Sequence, residues 1–254
     1  MSNILIIGAN QGIGYYLAES LLESGNRVAV LDIQTDHIAE LQSKFENNLL
    51  FTRVDTVDSH SVQEGVKKAF NCFGSIDIAI HNACFCTFAS EPGTDLEIYR
   101  QVMNVNFCWA LRLAKTVLPH MREARKGRLI FTSSAVGVTG FKNISLYASS
   151  KGAIESLAKC LEIENRQYGI SVHLFHPPLT NTTSASGLMI PKEFKANPRE
   201  VGKGFAKHIW SIHYLSFILH CAISALQLQT SALFWQNADE DRWQGKTEFS
   251  LTKL

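Results

Sequence analysis

The chain has 254 residues, enough for one large α/β domain with a well-buried core. Hydrophobic residues make up 46% and charged residues 19% of it, and the formal net charge is +1. A near-neutral globular chain without a block of like charges gives no indication of nucleic-acid binding.

The cysteines and the N-terminus favour a reducing compartment. The six cysteines show neither a Cys-x-x-Cys pair nor a His/Cys metal spacing, so we expect free thiols and no metal site. No basic stretch precedes an apolar run at the N-terminus, so a signal peptide is not expected. The predicted location is therefore the cytoplasm.

The first unit of the chain is an apolar strand-type run, a glycine turn and an amphipathic helix. The run covers residues 4–7 and the helix 15–24, with Gly8-Ala-Asn-Gln-Gly12-Ile-Gly14 between them. Such glycines let the backbone approach a pyrophosphate, and the helix N-terminus offers free N–H groups. The alternative is a purely structural turn. The predicted dinucleotide contacts are Gly8, Asn10, Gln11, Gly12, Ile13 and Gly14.

A second apolar run, residues 27–31, ends at Asp32, eighteen residues after Gly14. This spacing is typical of a carboxylate that binds the adenosine ribose hydroxyls and repels a 2′-phosphate. Ile33 and Gln34 supply no cation, so the sequence favours NAD over NADP, with Asp32 and Ile33 as contacts. A plain turn or helix-capping role is the alternative for Asp32.

Strands and helices alternate through the rest of the first half. A helix is predicted over 36–46, a strand over 49–54, a helix over 61–73 and a strand over 76–80. Alternation at this spacing implies parallel pairing with right-handed crossovers. The predicted fold is therefore α/β: a Rossmann-type doubly wound parallel sheet, flanked by helices on both faces, in a single domain.

Three side chains of the second half are spaced for acid–base chemistry. Ser134 precedes Tyr147 by thirteen residues, and Lys151 follows Tyr147 by four. In a helix from about Ser145, Tyr147 and Lys151 share one face, and an ammonium there would lower the phenol pKa from ~10. Tyr147 would then be a general acid/base, and Ser134 would bind the oxygen of the reacting carbonyl or alcohol. By itself, the spacing also fits a solvated helix face.

Together these motifs resemble the short-chain dehydrogenase/reductase family over roughly residues 3–182. Five family motifs occur in order: the glycine loop (Gly8, Gly12, Gly14), an altered Asn-Asn-Ala-Gly (His81-Asn82-Ala83-Cys84), Val105-Asn106, Ser133-Ser134 with Tyr147 and Lys151, and Pro177-Pro178 with Thr182. The resemblance implies an NAD-dependent oxidoreductase that acts on a small alcohol or ketone.

The resemblance also implies roles for individual residues. Tyr147 would transfer the proton, Lys151 would lower its pKa and bind the nicotinamide ribose, and Ser134 would position the substrate oxygen. Asn106 would kink its helix and hold a water that links Lys151 to solvent. Further cofactor contacts are expected at Asp55, Thr56, Asn82, Ala83, Cys84, Val105, Pro177, Thr180 and Thr182.

Four residues depart from the family pattern. Ile7 replaces a threonine, and Cys84, Trp109 and Pro178 each replace a glycine. None of them belongs to the predicted catalytic group of Asn, Ser, Tyr and Lys, so the enzyme interpretation is retained. A cofactor-binding protein without turnover is the alternative that Cys84 and Pro178 suggest.

The second half also carries predicted interfaces. Long amphipathic helices over 107–123 and 146–168 flank a strand over 129–132, and the resemblance implies that they form the interface of a homodimer or homotetramer. After a strand over 171–175, the loop 177–198 is rich in Thr, Ser, Gly and Pro. A loop of this length is usually either a lid or disordered, and beside a cofactor site a lid that closes on the substrate is favoured.

The chain after residue 182 is least like the family. Residues 208–238 contain no Asp, Glu, Lys or Arg, and 209–235 are mostly apolar and long enough to span a bilayer. His213 and His220 disfavour a simple span, so a buried helix pair over the pocket or at a subunit contact is favoured. An interfacial membrane helix is an alternative, and would suit a membrane-associated long-chain ketolipid (3-ketosphinganine-like) reductase. A last strand is predicted over 246–252.

Overall fold

The computed structural model describes residues 1–54, 58–88 and 93–210. In this part of the chain six strands form one sheet, in the order β3-β2-β1-β4-β5-β6, and every neighbouring pair is parallel. The prediction of a Rossmann-type parallel sheet is confirmed. The strands are β1 (Asn3–Ile7), β2 (Arg27–Asp32), β3 (Leu49–Arg53), β4 (Ile78–His81), β5 (Gly127–Thr132) and β6 (Ile170–Phe175).

Helices cover both faces of this sheet. A π-helical turn, Asn104–Cys108, joins two of them end to end, and 3-10 turns occupy Arg166–Tyr168, Thr183–Ala185 and Lys192–Phe194. The described helices are α1 (Gly12–Glu23), α2 (Asp36–Ala39), α3 (Ser59–Phe73), α4 (Leu96–Met103), α5 (Trp109–Ala124), α6 (Val136–Thr139), α7 (Ser145–Asn165) and α8 (Pro198–His208).

The sheet is buried between two apolar layers. On one face α3, α5 and α7 pack through residues such as Val66, Leu113 and Ile154. On the other face α1 packs with α8, and the stacked rings of Phe175 and Phe205 lie 3.9 Å apart. Because both faces are covered, the strands read as nearly continuous apolar runs.

Three elements differ from the sequence predictions. The helix expected over 36–46 ends at Ala39 and continues as turns, because only Ile38 and Leu41 are buried there and Phe45 packs against the core in part. Strand β4 extends to His81, which was expected to follow the strand. The short helix α6 was not predicted at all.

Helices α4 and α8 were also missed, although each begins with a recognisable cap. The Asp95 side chain accepts a 2.9 Å hydrogen bond from Glu97 N–H, and the Asn197 side chain accepts one of 2.9 Å from Arg199 N–H. Asn197 is followed by Pro198 at the first helical position, where proline is well tolerated. These caps are local signals that the sequence contained.

The distinctive C-terminal part is described only at its start. Residue 209 is fully buried, and its carbonyl accepts a 2.7 Å hydrogen bond from Arg128. The remainder of the 209–235 segment and the strand expected over 246–252 lie outside the described residues. Among the residues described, no helix has the length and apolar character needed to cross a membrane.

Candidate active site

A cleft of about 1140 Å³ opens at the carboxyl ends of the strands, where ligands bind in open α/β sheets. Asn10, Gly14 and Asn106 are buried behind its wall, and Asp55 and Thr56 lie outside the described residues. The predicted residues that line the cleft are Gly8, Gln11, Gly12, Ile13, Asp32, Ile33, Asn82, Ala83, Cys84, Val105, Ser134, Tyr147, Lys151, Pro177, Thr180 and Thr182.

The glycine loop forms a cradle that side chains would fill. Gly8 and Gly12 have φ of 85° and 63°, and a Cβ at Gly8 would collide with the Ala83 backbone. A Cβ at Gly14 would collide with Gly8 O, which itself accepts a 2.7 Å hydrogen bond from Asn82 Nδ2. No side chain caps the start of α1 and no acidic residue lies in its first turn. The loop therefore fits a dinucleotide pyrophosphate.

Asn10 supports this loop from behind. Its main-chain N–H donates a 2.8 Å hydrogen bond to Asp32 Oδ2, and its side-chain amide donates one of 2.8 Å to Asp36. Its Oδ1 accepts from the N–H groups of His37 and Ile38, at the start of α2. The Asn10 side chain thus ties the glycine loop to α2, while Asp32 holds the loop and also lines the cleft.

An arginine that the sequence analysis did not consider lies beside Asp32. Arg53 ends β3 and is in register with Asp32 of β2, and its Nε donates a 3.1 Å hydrogen bond to Ile33 O. The preference for NAD had been predicted from uncharged residues at Gln11, Ile33 and Gln34, none of which lies on β3. Strands that alternate with helices predict parallel pairing of β2 with β3. That pairing could have indicated that a residue of β3 lies next to Asp32.

Helix α7 carries Tyr147 and Lys151 on one face, as the spacing predicted. Lys151 is fully buried, its Nζ donates a 2.8 Å hydrogen bond to Thr132 O, and Nζ lies 5.5 Å from the centroid of the Tyr147 ring. Ser134, just after β5, lines the same cleft as Tyr147 and lies close enough to lower the pKa of its phenol. The end of β5 and helix α7 therefore meet at one point of the cleft.

The direction of the Tyr147 pKa differs from the sequence expectation. Burial raises the pKa of the phenol well above its ordinary value, the thiols of Cys84 and Cys86 raise it further, and Ser134 lowers it. The Lys151 ammonium is directed to the Thr132 carbonyl, and burial lowers its pKa. At neutral pH the Tyr147 phenol therefore keeps its proton, as a proton donor must.

Asn106 is fully buried on the π-helical turn Asn104–Cys108, where the resemblance implied a kink. Its Oδ1 accepts a 2.7 Å hydrogen bond from Phe85 N–H, and its Nδ2 donates to Phe85 O at 3.0 Å and to Ser150 Oγ at 2.9 Å. Asn106 thus holds the chain that follows β4 against α7. The water expected at Asn106 stays a prediction.

Two more buried polar residues lie behind Lys151. Glu155 follows Lys151 by one turn of α7, and its carboxylate lies 2.6 Å from Nε2 of His176, which directly precedes Pro177. Sequence reasoning missed both. The i, i+4 spacing of Lys151 and Glu155 was the available signal for Glu155, whereas nothing local indicated His176.

The loop 177–198 has defined structure over the cleft. Thr180 forms a parallel bridge with Ala196, and Lys195 Nζ donates to the carbonyls of Ala185 and Leu188 at 2.9 and 3.2 Å. Thr183 donates a 3.1 Å hydrogen bond to the Gln11 side chain. The loop therefore contacts the glycine loop, and its closure on a substrate stays a prediction.

Residues 2–190 match the model of a protein family described as short chain dehydrogenase. The chain belongs to this family. As a short-chain dehydrogenase it is an oxidoreductase, and the family uses nicotinamide dinucleotides. The resemblance and the small-molecule substrate class are confirmed, whereas the interpretation as a protein without turnover finds no support.

Relatives and a solved structure agree with this assignment. The short-chain dehydrogenase is 34% identical over 180 residues to a 3-ketodihydrosphingosine reductase of Bacteroides thetaiotaomicron, covering 70% of this chain and 64% of that protein. It is 30% identical over 193 residues to a trans-4-hydroxycyclohexanecarboxylate dehydrogenase of Sinomonas cyclohexanicum, covering 72% and 74%. The crystal structure of a short-chain dehydrogenase from Streptomyces avermitilis shares the fold, with a TM-score of 0.76, 18% identity and coverage of 93% and 97%.

Proposed function

We propose that this short-chain dehydrogenase interconverts a ketone and a secondary alcohol with NAD(H), using Tyr147 as the proton donor and acceptor. The observation that carries the proposal is the meeting of Ser134, Tyr147 and Lys151 in the same cleft as the glycine cradle. Ser134 directly follows β5, and Tyr147 and Lys151 lie on α7, so the fold fixes their relative positions.

The proposed chemistry divides between cofactor and protein. A bound nicotinamide supplies or accepts the hydride. Ser134 and Tyr147 hold the substrate oxygen, and Tyr147 gives it a proton during carbonyl reduction. Lys151 keeps a positive charge beneath Tyr147, and Pro177, Thr180 and Thr182 form the wall on the nicotinamide side. The raised pKa of Tyr147 suits proton donation, and therefore supports reduction.

We propose NAD(H) as the preferred cofactor. The Asp32 carboxylate lines the cleft at the end of β2, with one N–H bonded to each of its oxygens, from Asn10 and Gln34. A carboxylate oxygen has two acceptor positions, so both oxygens retain one for the ribose hydroxyls. A 2′-phosphate would meet the same negative charge.

A second candidate function is the reduction of long-chain ketones. The similarity to 3-ketodihydrosphingosine reductases of Bacteroides thetaiotaomicron and mouse, the latter at 26% identity, supports this candidate. The substrate side of the cleft is apolar, which suits an alkyl chain. Its apolar lining residues include Phe85, Phe88, Phe141, Leu179, Leu188 and Ile190.

Consumption of NADH with a panel of ketones tests the main proposal. Tyr147→Phe removes only the hydroxyl, so we expect kcat to fall ~10²–10⁴-fold while NADH binding, followed by fluorescence titration, stays close to intact. Tyr168→Phe, on a turn remote from the cleft, is the matched control and should retain activity. A Tyr147→Phe enzyme with more than about a tenth of the wild-type kcat contradicts the acid–base role.

Chain length separates the two candidates. Straight-chain ketones of increasing length should give rising kcat/KM if an alkyl chain lies along the apolar wall, by up to ~0.8 kcal/mol per buried methylene. If kcat/KM does not change with chain length and cyclic ketones are reduced, the main proposal stands and the long-chain candidate is excluded. Sedimentation with liposomes adds a direct test of membrane contact.

A further inference from the structure

An aromatic ring connects two walls of the cleft. Phe88, on the segment after β4, lines the cleft, and its ring lies directly against Gly187 of the loop 177–198. Strands β4 and β6 flank β5 in the sheet, and the two residues lie on the segments that follow β4 and β6. Their contact therefore spans the end of β5, which Ser134 follows directly.

The ring explains why glycine occupies position 187. Gly187 does not have a positive φ, so its backbone conformation is open to other residues. A Cβ at this position would nevertheless collide with the ring of Phe88, and all three atoms nearest to it, Cδ2, Cε2 and Cγ, belong to that ring. The missing side chain at Gly187 is therefore the space that the Phe88 ring occupies.

Hydrogen bonds hold the loop on both sides of Gly187. Lys195 Nζ donates to the carbonyls of Ala185 and Leu188, at 2.9 and 3.2 Å. Because these bonds fix the backbone around Gly187, a methyl group added there would displace the ring of Phe88 more readily than the loop. The ring would move away from Gly187 and further into the cleft that it lines.

We propose that Phe88 limits the size of the group that a ketone substrate carries beyond its carbonyl, and that Gly187 sets the position of the Phe88 ring. The inference rests on the proposed function, because the carbonyl oxygen must be held at Ser134 and Tyr147 for its substituents to reach the ring. A compact apolar group fits beneath the ring, whereas a branched group overlaps with it. Such overlap discriminates between substrates without any new attractive contact.

Two ketones that differ only at the end remote from the carbonyl measure this limit: cyclohexanone and 4-tert-butylcyclohexanone. Phe88→Ala removes the ring, so kcat/KM for the tert-butyl ketone, divided by that for cyclohexanone, should rise at least ~10-fold. Phe194→Ala removes an exposed ring of the same loop and should leave this ratio unchanged. A ratio that does not rise in Phe88→Ala overturns the proposal.

Gly187→Ala tests the contact itself. With Phe88 present, the added methyl group should push the ring into the cleft and lower kcat/KM for the tert-butyl ketone at least ~5-fold. In the Phe88→Ala background the same change should alter kcat/KM less than ~2-fold, because the ring is gone. Gly204→Ala, whose Cβ would meet nothing within 4 Å, is the control. Equal effects of Gly187→Ala in both backgrounds would show that the ring is not displaced, and would overturn the proposal.

Binding separates this inference from the proposed function. Calorimetry with NAD⁺-loaded protein, which cannot reduce a ketone, gives the Kd of both ketones without turnover. If Phe88→Ala shifts the ratio of the two Kd values but neither ketone is reduced with NADH, the proposed function fails and the size limit stands. If both ketones are reduced and the ratio is the same in Phe88→Ala, the size limit alone fails. If neither ketone binds, both fail.

Discussion

Glu155 Oε1 and His176 Nε2 lie 2.6 Å apart, and both side chains are 8% exposed. The pair joins α7, one turn beyond Lys151, to the end of β6, immediately before Pro177. Burial raises the pKa of Glu155, but His176 and Ser133 lower it more. The pKa of this carboxyl therefore lies below its ordinary value. The end of β6 is thereby fixed to the helix that carries Tyr147 and Lys151.

Removal of the Glu155 carboxylate should destabilise the protein strongly. Glu155→Leu is expected to reduce the free energy of unfolding by about 3–5 kcal/mol, because it leaves the buried His176 ring without this partner. Glu155→Gln keeps a hydrogen-bonding group, so its free energy of unfolding should fall less than that of Glu155→Leu. Urea unfolding at pH 7 measures both losses, and equal losses would show that the carboxylate is not bonded to His176.

Replacement of Lys151 by alanine should change the pH dependence of alcohol oxidation. The oxidation rate rises with pH as Tyr147 loses its proton, and loss of the ammonium disfavours the phenolate. The apparent pKa of the rising limb should therefore move to higher pH in Lys151→Ala. Lys115→Ala, on the exposed side of α5, is the control. An unchanged apparent pKa would mean that Lys151 and Tyr147 are not coupled.

The cofactor preference depends on Asp32. We expect kcat/KM for NAD(H) to exceed that for NADP(H) by at least ~100-fold, or about 2.7 kcal/mol, because the carboxylate repels a 2′-phosphate. Asp32→Ala together with Ile33→Arg should narrow or reverse the preference. Initial rates with both cofactors, at one substrate concentration below KM, give the ratio. Equal efficiency in the unmodified enzyme would mean that Asp32 turns away from the ribose.

Arg53 offers a matched test of the same surface. Its guanidinium lies beside Ile33, so it is available to a phosphate once the Asp32 carboxylate is gone. NADP(H) efficiency should rise in Asp32→Ala and fall again when Arg53→Ala is added. If the second replacement has no effect, Arg53 has no part in cofactor choice.

His81 should make the protein sensitive to acid. Burial, and then the Lys151 ammonium, lowers the pKa of His81 to about 3. The unfolded chain binds this proton near pH ~6.5, so stability is lost as pH falls from there towards the folded pKa. When the pH falls from 7 to 5, the free energy of unfolding of His81→Asn should decrease by about 2 kcal/mol less than that of the unmodified protein. Urea unfolding at the two pH values measures this difference. His60→Asn, on exposed α3, should match the unmodified protein.

The sequence by itself determined the alternation of strands and helices along the chain and the residue types that line the cleft. Both faces of the sheet are buried, so the strands had to be apolar runs, and glycine was required where Gly8 approaches Ala83. The Tyr147–Lys151 relationship was predictable because it lies within one helix, where spacing fixes the face. Caps at Asp95 and Asn197 show that two more helices could have been found by the same local rules.

Only the tertiary structure decided which distant residues surround those motifs. It placed Arg53 beside Asp32, directed Lys151 to Thr132, and clamped Phe85 to Asn106. It also reversed the expected direction of the Tyr147 pKa, because burial outweighs a charge that is bound elsewhere. The spacing of residues along the sequence determines which side chains share a helix face or a strand. Contacts between separate elements, and the burial that sets a pKa, arise only when those elements pack together.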